Sequence, residues 1–162
     1  MPRHEQRRPV PFTPAQIFDL VADIPRYAEF LPWCAGARIT KREAPEDGRE
    51  ILYADLVIGY KAFRGTYTSR VVLDRAGMKI DVTHTRGPFR HLINHWVFLP
   101  QPDGSCLIDF MIDFEFHNPI IRKLIELVFT EAVSRMVQAF ETRAHAIYAP
   151  VTTANPIDAS AD

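Results

Sequence analysis

Residues 118–150, NPIIRKLIELVFTEAVSRMVQAFETRAHAIYAP, decide the fold because they encode one long amphipathic helix with both ends specified. Asn118 is a strong N-cap, Pro119 suits the first helical position, and Pro150 pushes the residue before it out of the α region. The apolar positions predicted to form one stripe are Ile121, Leu124, Ile125, Val128, Ala132, Met136, Ala139, Phe140 and Ile147. At 1.5 Å per residue the helix would be roughly 45 Å long, so it needs a broad apolar partner.

Six strand-like runs precede this helix and can supply that partner. They lie near residues 36–43, 50–58, 62–73, 78–85, 89–99 and 105–116. Short turn-forming segments separate them, which predicts antiparallel hairpins and therefore a meander. In the last run the apolar residues that alternate with polar ones are Ile108, Phe110, Ile112, Phe114 and Phe116. This period of two predicts a sheet with one buried face and one wet face, so that Asp113 and Glu115 should face water.

The N-terminal segment adds one strand and two short helices. Residues 3–10 are predicted to form an edge strand. Thr13 and Gln16 form a capping box for a helix that ends near residue 24, and a second helical turn is expected within residues 26–31. The predicted fold is therefore α+β: a curved antiparallel sheet of about seven strands wraps around the long C-terminal helix, with two short helices between strands 1 and 2. This is a helix-grip arrangement.

Composition limits the classes of function. The chain has 162 residues, 47% of them hydrophobic, and a net charge of −1. We expect a single domain over residues 1–149 and a disordered polar tail over residues 150–162. The charge gives no sign of DNA binding. Cys34 and Cys106 match no metal or redox spacing and are expected to be reduced core thiols, which suits the cytosol. The sequence shows neither an apolar run of membrane-spanning length nor a secretory signal.

Two arrangements of polar residues are candidate sites of chemistry. Asp113 and Glu115 could place their carboxylates about 6–7 Å apart, within the range of glycosidase acid–base pairs, although they most simply face water. His91 and His95 share a strand face with His84 nearby, but no further ligand has matching spacing for a metal ion. No HExxH, GxSxG, CxxC or phosphate-binding loop is present. The sequence therefore predicts no enzyme, no catalytic residue, no bound metal and no cofactor.

An unusual concentration of aromatic residues lies outside the helix. Phe30, Leu31 and Trp33 occupy a proline-bounded connection, where polar residues are usual. They either plug the end of the core or form an apolar gate that opens onto a cavity or dips into a bilayer interface. Phe89 begins a run that continues through Leu92, Trp96 and Phe98 and is expected to be a core strand; the alternative is a wall for a flat or extended apolar ligand.

Several segments make the chain similar to a known family. Residues 8–12, 18–23 and 27–34 (RPVPF, FDLVAD and YAEFLPWC) closely resemble the opening of the coenzyme Q-binding protein family, a member of the START-like lipid-transfer and polyketide-cyclase superfamily. Residues 87–92, 96–98 and 113–116 resemble its later signatures, as do residues 136–144 of the long helix. The resemblance covers roughly residues 3–148. Arg90 stands where this family is expected to have lysine.

The resemblance implies a START-like protein that binds or chaperones ubiquinone, or a related polyprenyl lipid, and supports respiratory electron transport. The residues expected to line its hydrophobic cavity are Trp96, Phe98, Phe110, Phe114, Phe116, Val128, Ala132 and Met136. The residues expected at the gate, in transient contact with a membrane, are Phe30, Leu31, Trp33 and Phe89. Mitochondrial members carry a targeting extension that this sequence lacks, so we expect a bacterial cytoplasmic protein, peripheral to the inner membrane.

The same bacterial subgroup includes ribosome association toxins, which bind the large ribosomal subunit and block subunit association. That alternative needs a basic surface to meet RNA phosphates. The residues that could form such a surface, if strands 1 and 2 are neighbours, are Arg3, Arg7, Arg8, Arg38, Lys41 and Arg42. A third possibility, a cyclase acting on a polyketide, rests on superfamily analogy and would need polar groups that converge inside the cavity.

Overall fold

The computed structural model describes residues 3–45, 47–60 and 63–151. Its elements in chain order are β1 Arg3–Val10, α1 Pro14–Ala22, a 3-10 helix Ile24–Glu29, β2 Cys34–Glu43, β3 Glu50–Tyr60, β4 Phe63–Asp74, β5 Lys79–Arg86, β6 Phe89–Pro100, β7 Cys106–Phe116 and α2 Pro119–Ile147. The predicted α+β helix-grip fold is confirmed. Most of the predicted tail lies outside the described residues; the backbone N–H of Val151 donates to the Pro11 carbonyl at 2.6 Å.

The seven strands form one antiparallel sheet in the order β1-β7-β6-β5-β4-β3-β2. Strands β2 to β7 follow one another as the predicted meander, and β1 pairs with β7, for example Gln6 with Phe110. The chain leaves β1, crosses the open side of the sheet through α1 and the 3-10 helix, and enters β2 at the far edge. Strands β1 and β2 therefore lie at opposite edges of the sheet.

The predicted helix ends agree with the observed caps. At α1, the Thr13 hydroxyl accepts a hydrogen bond from the Gln16 N–H at 3.1 Å, and the Gln16 side chain accepts one from the Thr13 N–H at 3.0 Å. At α2, the Asn118 side chain accepts from the Ile120 N–H at 2.9 Å. These bonds satisfy donors that the first helical turn leaves without an intrahelical partner.

The apolar stripe of α2 differs from the predicted one. Its buried residues are Phe129, Val133, Met136, Val137, Phe140 and Ala144. Leu124 and Ile147, predicted within the stripe, are 59% and 48% exposed. At 100° per residue the apolar side chains of the first three turns span a broad arc, from Leu127 through Leu124 to Ile125, so periodicity alone did not determine which part of it would meet the sheet.

Aromatic rings pack together where the second half of α2 crosses the middle of the sheet. Trp96 packs against Phe110 and Phe140, with ring centroids 4.6 and 5.2 Å away. Cys34 and Cys106 are both buried and free, and burial raises the pKa of the Cys106 thiol to about 12. Within the described residues, no helix combines the length and the apolarity that crossing a membrane requires.

Candidate ligand-binding site

Two adjoining cavities lie between the inner face of the sheet and α2. Their volumes are about 170 Å³ and about 70 Å³. The residues that line both are Trp33, Tyr67, Leu92, Ile112 and Met136. A movement of these shared side chains would join the two spaces, so we treat them as one candidate site.

The larger cavity has aromatic walls because β7 and β6 end there with inward-facing phenylalanines. Phe89 lies edge-to-face against Tyr67 at 5.2 Å and against Phe114 at 5.7 Å. Phe114 in turn contacts Phe129 of α2 at 5.0 Å. Edge-to-face packing of this kind fixes ring orientations, so the walls are formed before any ligand arrives.

Few polar groups line these cavities, and most of them are already hydrogen-bonded. In the smaller cavity the Asn94 side chain donates to the Met111 carbonyl at 2.8 Å and accepts from the Trp96 indole at 2.9 Å. The Tyr27 hydroxyl donates to the Val21 carbonyl. Tyr67 lines both cavities, and burial raises the pKa of its hydroxyl. It therefore stays protonated and can donate to a ligand.

Gly87 of the β5–β6 turn packs closely against the Tyr67 side chain. A Cβ atom at position 87 would stand 2.4 Å from the Tyr67 Cβ, and the Gly87 φ of +141° disfavours any L side chain. The β5–β6 turn thus approaches β4 closely enough to hold the tyrosine ring at the boundary between the cavities.

The structure brings together part of the predicted cavity set. Phe114, Phe116, Ala132 and Met136 line the larger cavity, and Trp96 lines the smaller one. The three predicted residues that line neither cavity are Phe98, Phe110 and Val128. The two phenylalanines are fully buried where the core is already filled, as the edge-to-face contact between Phe18 of α1 and Phe98 at 5.9 Å shows. Val128 is half-buried, because the buried side of α2 overlaps the predicted stripe only in part, at Met136 and Phe140.

The residues of the predicted gate occupy different places: some close the end of the core and others line the cavities. Leu31 is buried rather than exposed, and Phe30 rests against Phe140 at 5.3 Å, with the Arg143 guanidinium also 5.3 Å from its ring. Phe30 closes the end of the core, as the first of the two interpretations expected, whereas Leu31 also lines the smaller cavity. Trp33 is half-buried and lines both cavities. Phe89 is buried as a cavity wall.

Among the lining residues that were not predicted from the sequence are three with polar groups, Tyr67, Asn94 and Arg135. A signal for two of them existed. Tyr67 precedes Ser69 and Val71 on the inward positions of β4, and Asn94 falls between inward Leu92 and Trp96. A polar group at an inward position of an otherwise apolar strand marks a place where the core is not filled by hydrocarbon alone. Arg135, ion-paired with Glu131 at 2.7 Å, lines the larger cavity from α2 and had no such signal.

The carboxylates and histidines considered as sites of chemistry are not among the described residues that line the two cavities. Asp113 contacts the His91 ring at 2.9 Å, whereas Glu115 is buried and paired with Arg122 at 3.3 Å. The expectation that Glu115 faces water was therefore wrong, because α2 returns over this end of β7. Among the described residues, no group of three histidine, cysteine or carboxylate side chains is placed to hold a metal ion.

The predicted basic patch does not form, because its members lie on the two opposite edges of the sheet. Each of its six residues also has a carboxylate partner. On β1, Arg3 pairs with Glu5 and Asp113, Arg7 with Asp109, and Arg8 with Glu141. On β2, the pairs are Arg38 with Asp55, Lys41 with Glu43, and Arg42 with Glu50.

Residues 10–141 match the family model described as polyketide cyclase / dehydrase and lipid transport. The chain is 41% identical over 138 residues to the ribosome association toxin RatA of Rickettsia prowazekii, covering 83% of this chain and 90% of that protein. It is 30% identical over 139 residues to the mitochondrial coenzyme Q-binding protein coq10 of Schizosaccharomyces pombe, covering 85% and 83% respectively.

Solved structures share the architecture. An 18 kDa protein from Caulobacter crescentus superimposes with a TM-score of 0.75 at 29% identity, covering 91% of this chain and 98% of that one. A START superfamily protein from Mycobacterium smegmatis gives 0.76 at 20% identity, covering 90% and 98%. The Zhui aromatase/cyclase from Streptomyces gives 0.74 at 18% identity, covering 89% and 93%. The last two likenesses show the fold alone.

Proposed function

The chain belongs to the polyketide cyclase / dehydrase and lipid transport family, and from that premise we propose that it is a non-catalytic binding protein for ubiquinone or a related polyprenyl lipid. The observation that carries the proposal is a cavity walled by aromatic rings that is also lined by the tyrosine Tyr67. In this proposal the protein holds the lipid without a resident cofactor, works in the cytoplasm and meets the inner membrane transiently.

The size of the cavity matches a ring better than a chain. An apolar cavity of about 150 Å³ accommodates benzene, so the larger cavity, of about 170 Å³, has room for a substituted ring. Each buried CH₂ contributes about 0.8 kcal/mol, so a polyprenyl tail left in water would forgo most of the available affinity. We therefore expect the tail to leave between Trp33 and the Ala132–Arg135 turn of α2, along apolar surface.

Tyr67 supplies directional recognition. A quinone carbonyl accepts hydrogen bonds, and the Tyr67 phenol keeps its proton because burial raises its pKa. One such bond contributes about 0.5–1.5 kcal/mol, which orients a ring that burial of apolar area would hold in several poses.

The lining supports binding rather than catalysis. Among the residues that the structure describes, no Asp, Glu, His or Lys lines either cavity. A cyclisation that removes a proton from carbon needs a base within hydrogen-bond reach, and none of these side chains lies there. The curated relatives above are named as a toxin or a coenzyme Q-binding protein, whereas the aromatase/cyclase shares the fold.

Quenching of tryptophan fluorescence by a short-chain ubiquinone analogue tests the proposal, since Trp33 and Trp96 both line the site. We expect saturable quenching in the wild-type protein and at least tenfold weaker binding in Ala132→Phe, which fills the larger cavity. Ala146→Phe, at an exposed position of the same helix, is the matched control and should bind normally. Tyr67→Phe should weaken binding roughly twofold to tenfold. Quenching that is absent, or equal in Ala132→Phe and Ala146→Phe, would count against the cavity as the site.

Ribosome association is the second candidate function. The 41% identity to a protein named ribosome association toxin favours it, whereas the predicted basic patch that would have served it is divided and paired. Sedimentation with isolated large ribosomal subunits separates the two candidates. Saturable co-sedimentation that survives moderate salt, together with absent quinone quenching, would replace the first proposal with the second.

A further inference from the structure

An exposed apolar stripe marks the beginning of α2. Ile120, Leu124 and Leu127 have the spacing i, i+4, i+7 and therefore share one side of the helix. Ile120 and Leu127 are 72% and 81% exposed. Single exposed apolar side chains are ordinary, but three in a row on one helix face form a patch of the kind that marks an interaction surface.

Two arginines are placed beside the start of this helix by a backbone hydrogen bond. The His117 N–H donates to the Pro88 carbonyl at 2.9 Å, which ties the β5–β6 turn to the residue that precedes the N-cap. Arg86 and Arg90 flank Pro88, and both are exposed. Neither forms an ion pair within the part of the chain that the structure describes.

The charge of this region differs from that of the sheet edges, where the arginines are paired. Lys123, one turn into α2, is exposed and also lacks a carboxylate partner among the described residues. Glu126 is the one acidic residue between positions 117 and 130. Three cations without partners therefore surround the apolar stripe, opposed by one carboxylate.

We infer that this surface docks onto an anionic phospholipid bilayer. We call it the α2 entry face and define it by Arg86, Arg90, Ile120, Lys123, Leu124 and Leu127. Apolar side chains at such a surface enter the boundary between headgroups and acyl chains, and the cations meet lipid phosphates. RNA phosphates would satisfy the cations but would leave the apolar stripe in water, so a bilayer fits both halves of the observation.

The α2 entry face also adjoins the candidate site. Ala132 and Arg135, which line the larger cavity, lie one to two helical turns beyond Leu127. A bilayer in contact with the entry face would therefore stand beside the opening through which we expect a lipid tail to pass. The inference rests on the proposed function for this purpose, although membrane docking is measured without any quinone.

Co-sedimentation with quinone-free vesicles tests the inference. We expect binding to vesicles of equimolar phosphatidylcholine and phosphatidylglycerol, and at least tenfold weaker binding to phosphatidylcholine alone. The double variant Leu124→Ser with Leu127→Ser should lose at least tenfold in affinity for the mixed vesicles. The double variant Arg86→Gln with Arg90→Gln should bind them more weakly and show a flatter salt dependence. Ile93→Ser, an exposed apolar residue on β6, is the matched control and should bind like wild type.

The same variants, titrated with the short-chain quinone analogue, separate this inference from the proposed function. Normal quenching together with lost vesicle binding supports docking at the entry face. Equal vesicle binding by the leucine variant and wild type, or wild-type binding to neither vesicle, overturns the inference while leaving quinone binding intact. Wild-type protein that sediments with ribosomes but not with vesicles overturns it as well. Normal vesicle binding without quenching contradicts the proposed function alone.

Discussion

The two halves of α2 have similar apolar content and different surroundings. Residues 119–128 leave three large apolar side chains exposed, those of Ile120, Leu124 and Leu127, whereas residues 129–147 bury Phe129, Val137 and Phe140 against the sheet. The difference follows from where the sheet and the short helices lie beneath the helix. Hydrophobicity that is covered contributes to the core, and hydrophobicity that is left exposed beside a cavity is available for a partner.

The largest expected effect comes from removing a side chain in the covered half. Phe140→Ala deletes a ring that contacts Trp96 and Tyr27, with centroids 5.2 and 5.4 Å away, and should lower the free energy of unfolding by about 3–5 kcal/mol. Leu127→Ala, in the uncovered half, should change it by less than about 0.5 kcal/mol. Urea unfolding followed by circular dichroism measures both. A cost above about 1.5 kcal/mol for Leu127→Ala would mean that the first half is packed after all.

A smaller effect is expected from breaking the ion pair that joins the start of α2 to the end of β7. Arg122→Met removes the partner of buried Glu115 and should cost about 1–3 kcal/mol, because an unpaired buried group keeps its desolvation penalty. Arg42→Met breaks an exposed pair with Glu50 and should cost less than about 0.5 kcal/mol. Equal costs in the same unfolding experiment would show that the Glu115–Arg122 pair behaves like a surface pair.

The smallest effect concerns the buried thiol of Cys106. Burial raises the pKa of Cys106 from 9.0 to about 12, so the unfolded state loses this proton first as pH rises. The contribution of Cys106 to stability is therefore complete below pH 9 and declines between about pH 9 and 12, by at most about 1.4 kcal/mol per pH unit. The comparison of wild type with Cys106→Ala from pH 8 to 10 isolates it. Parallel curves for the two proteins would show that the thiol ionises equally in both states.

The architecture could be predicted from the sequence because the signals that begin and end each element are local. The capping box at Thr13, the Asn118 cap and the alternation through β7 each specify an element from a few neighbouring residues, and the hairpin turns then leave one antiparallel order for β2 to β7. The sequence predicted the side of α2 that meets the sheet only in part: Met136 and Phe140 are buried, whereas Leu124 is exposed.

The site was only partly predictable for a related reason. Phe114, Phe116, Ala132 and Met136 follow from face and periodicity, but whether an inward residue fills the core or lines a space depends on what packs across from it. Phe98 meets Phe18 of α1 and is enclosed, whereas Phe114 meets no such residue from α1. The predicted basic patch does not form because β1 pairs with β7, so that β2 lies at the opposite edge of the sheet.

Mass spectrometry of solvent-extracted protein, purified natively from a quinone-producing host, measures whether the cavity holds a quinone. We expect an isoprenoid quinone bound at near-stoichiometric level in wild type and strongly reduced in Ala132→Phe. Wild-type protein that carries no quinone, and that remains empty after incubation with quinone-loaded liposomes, would contradict this expectation.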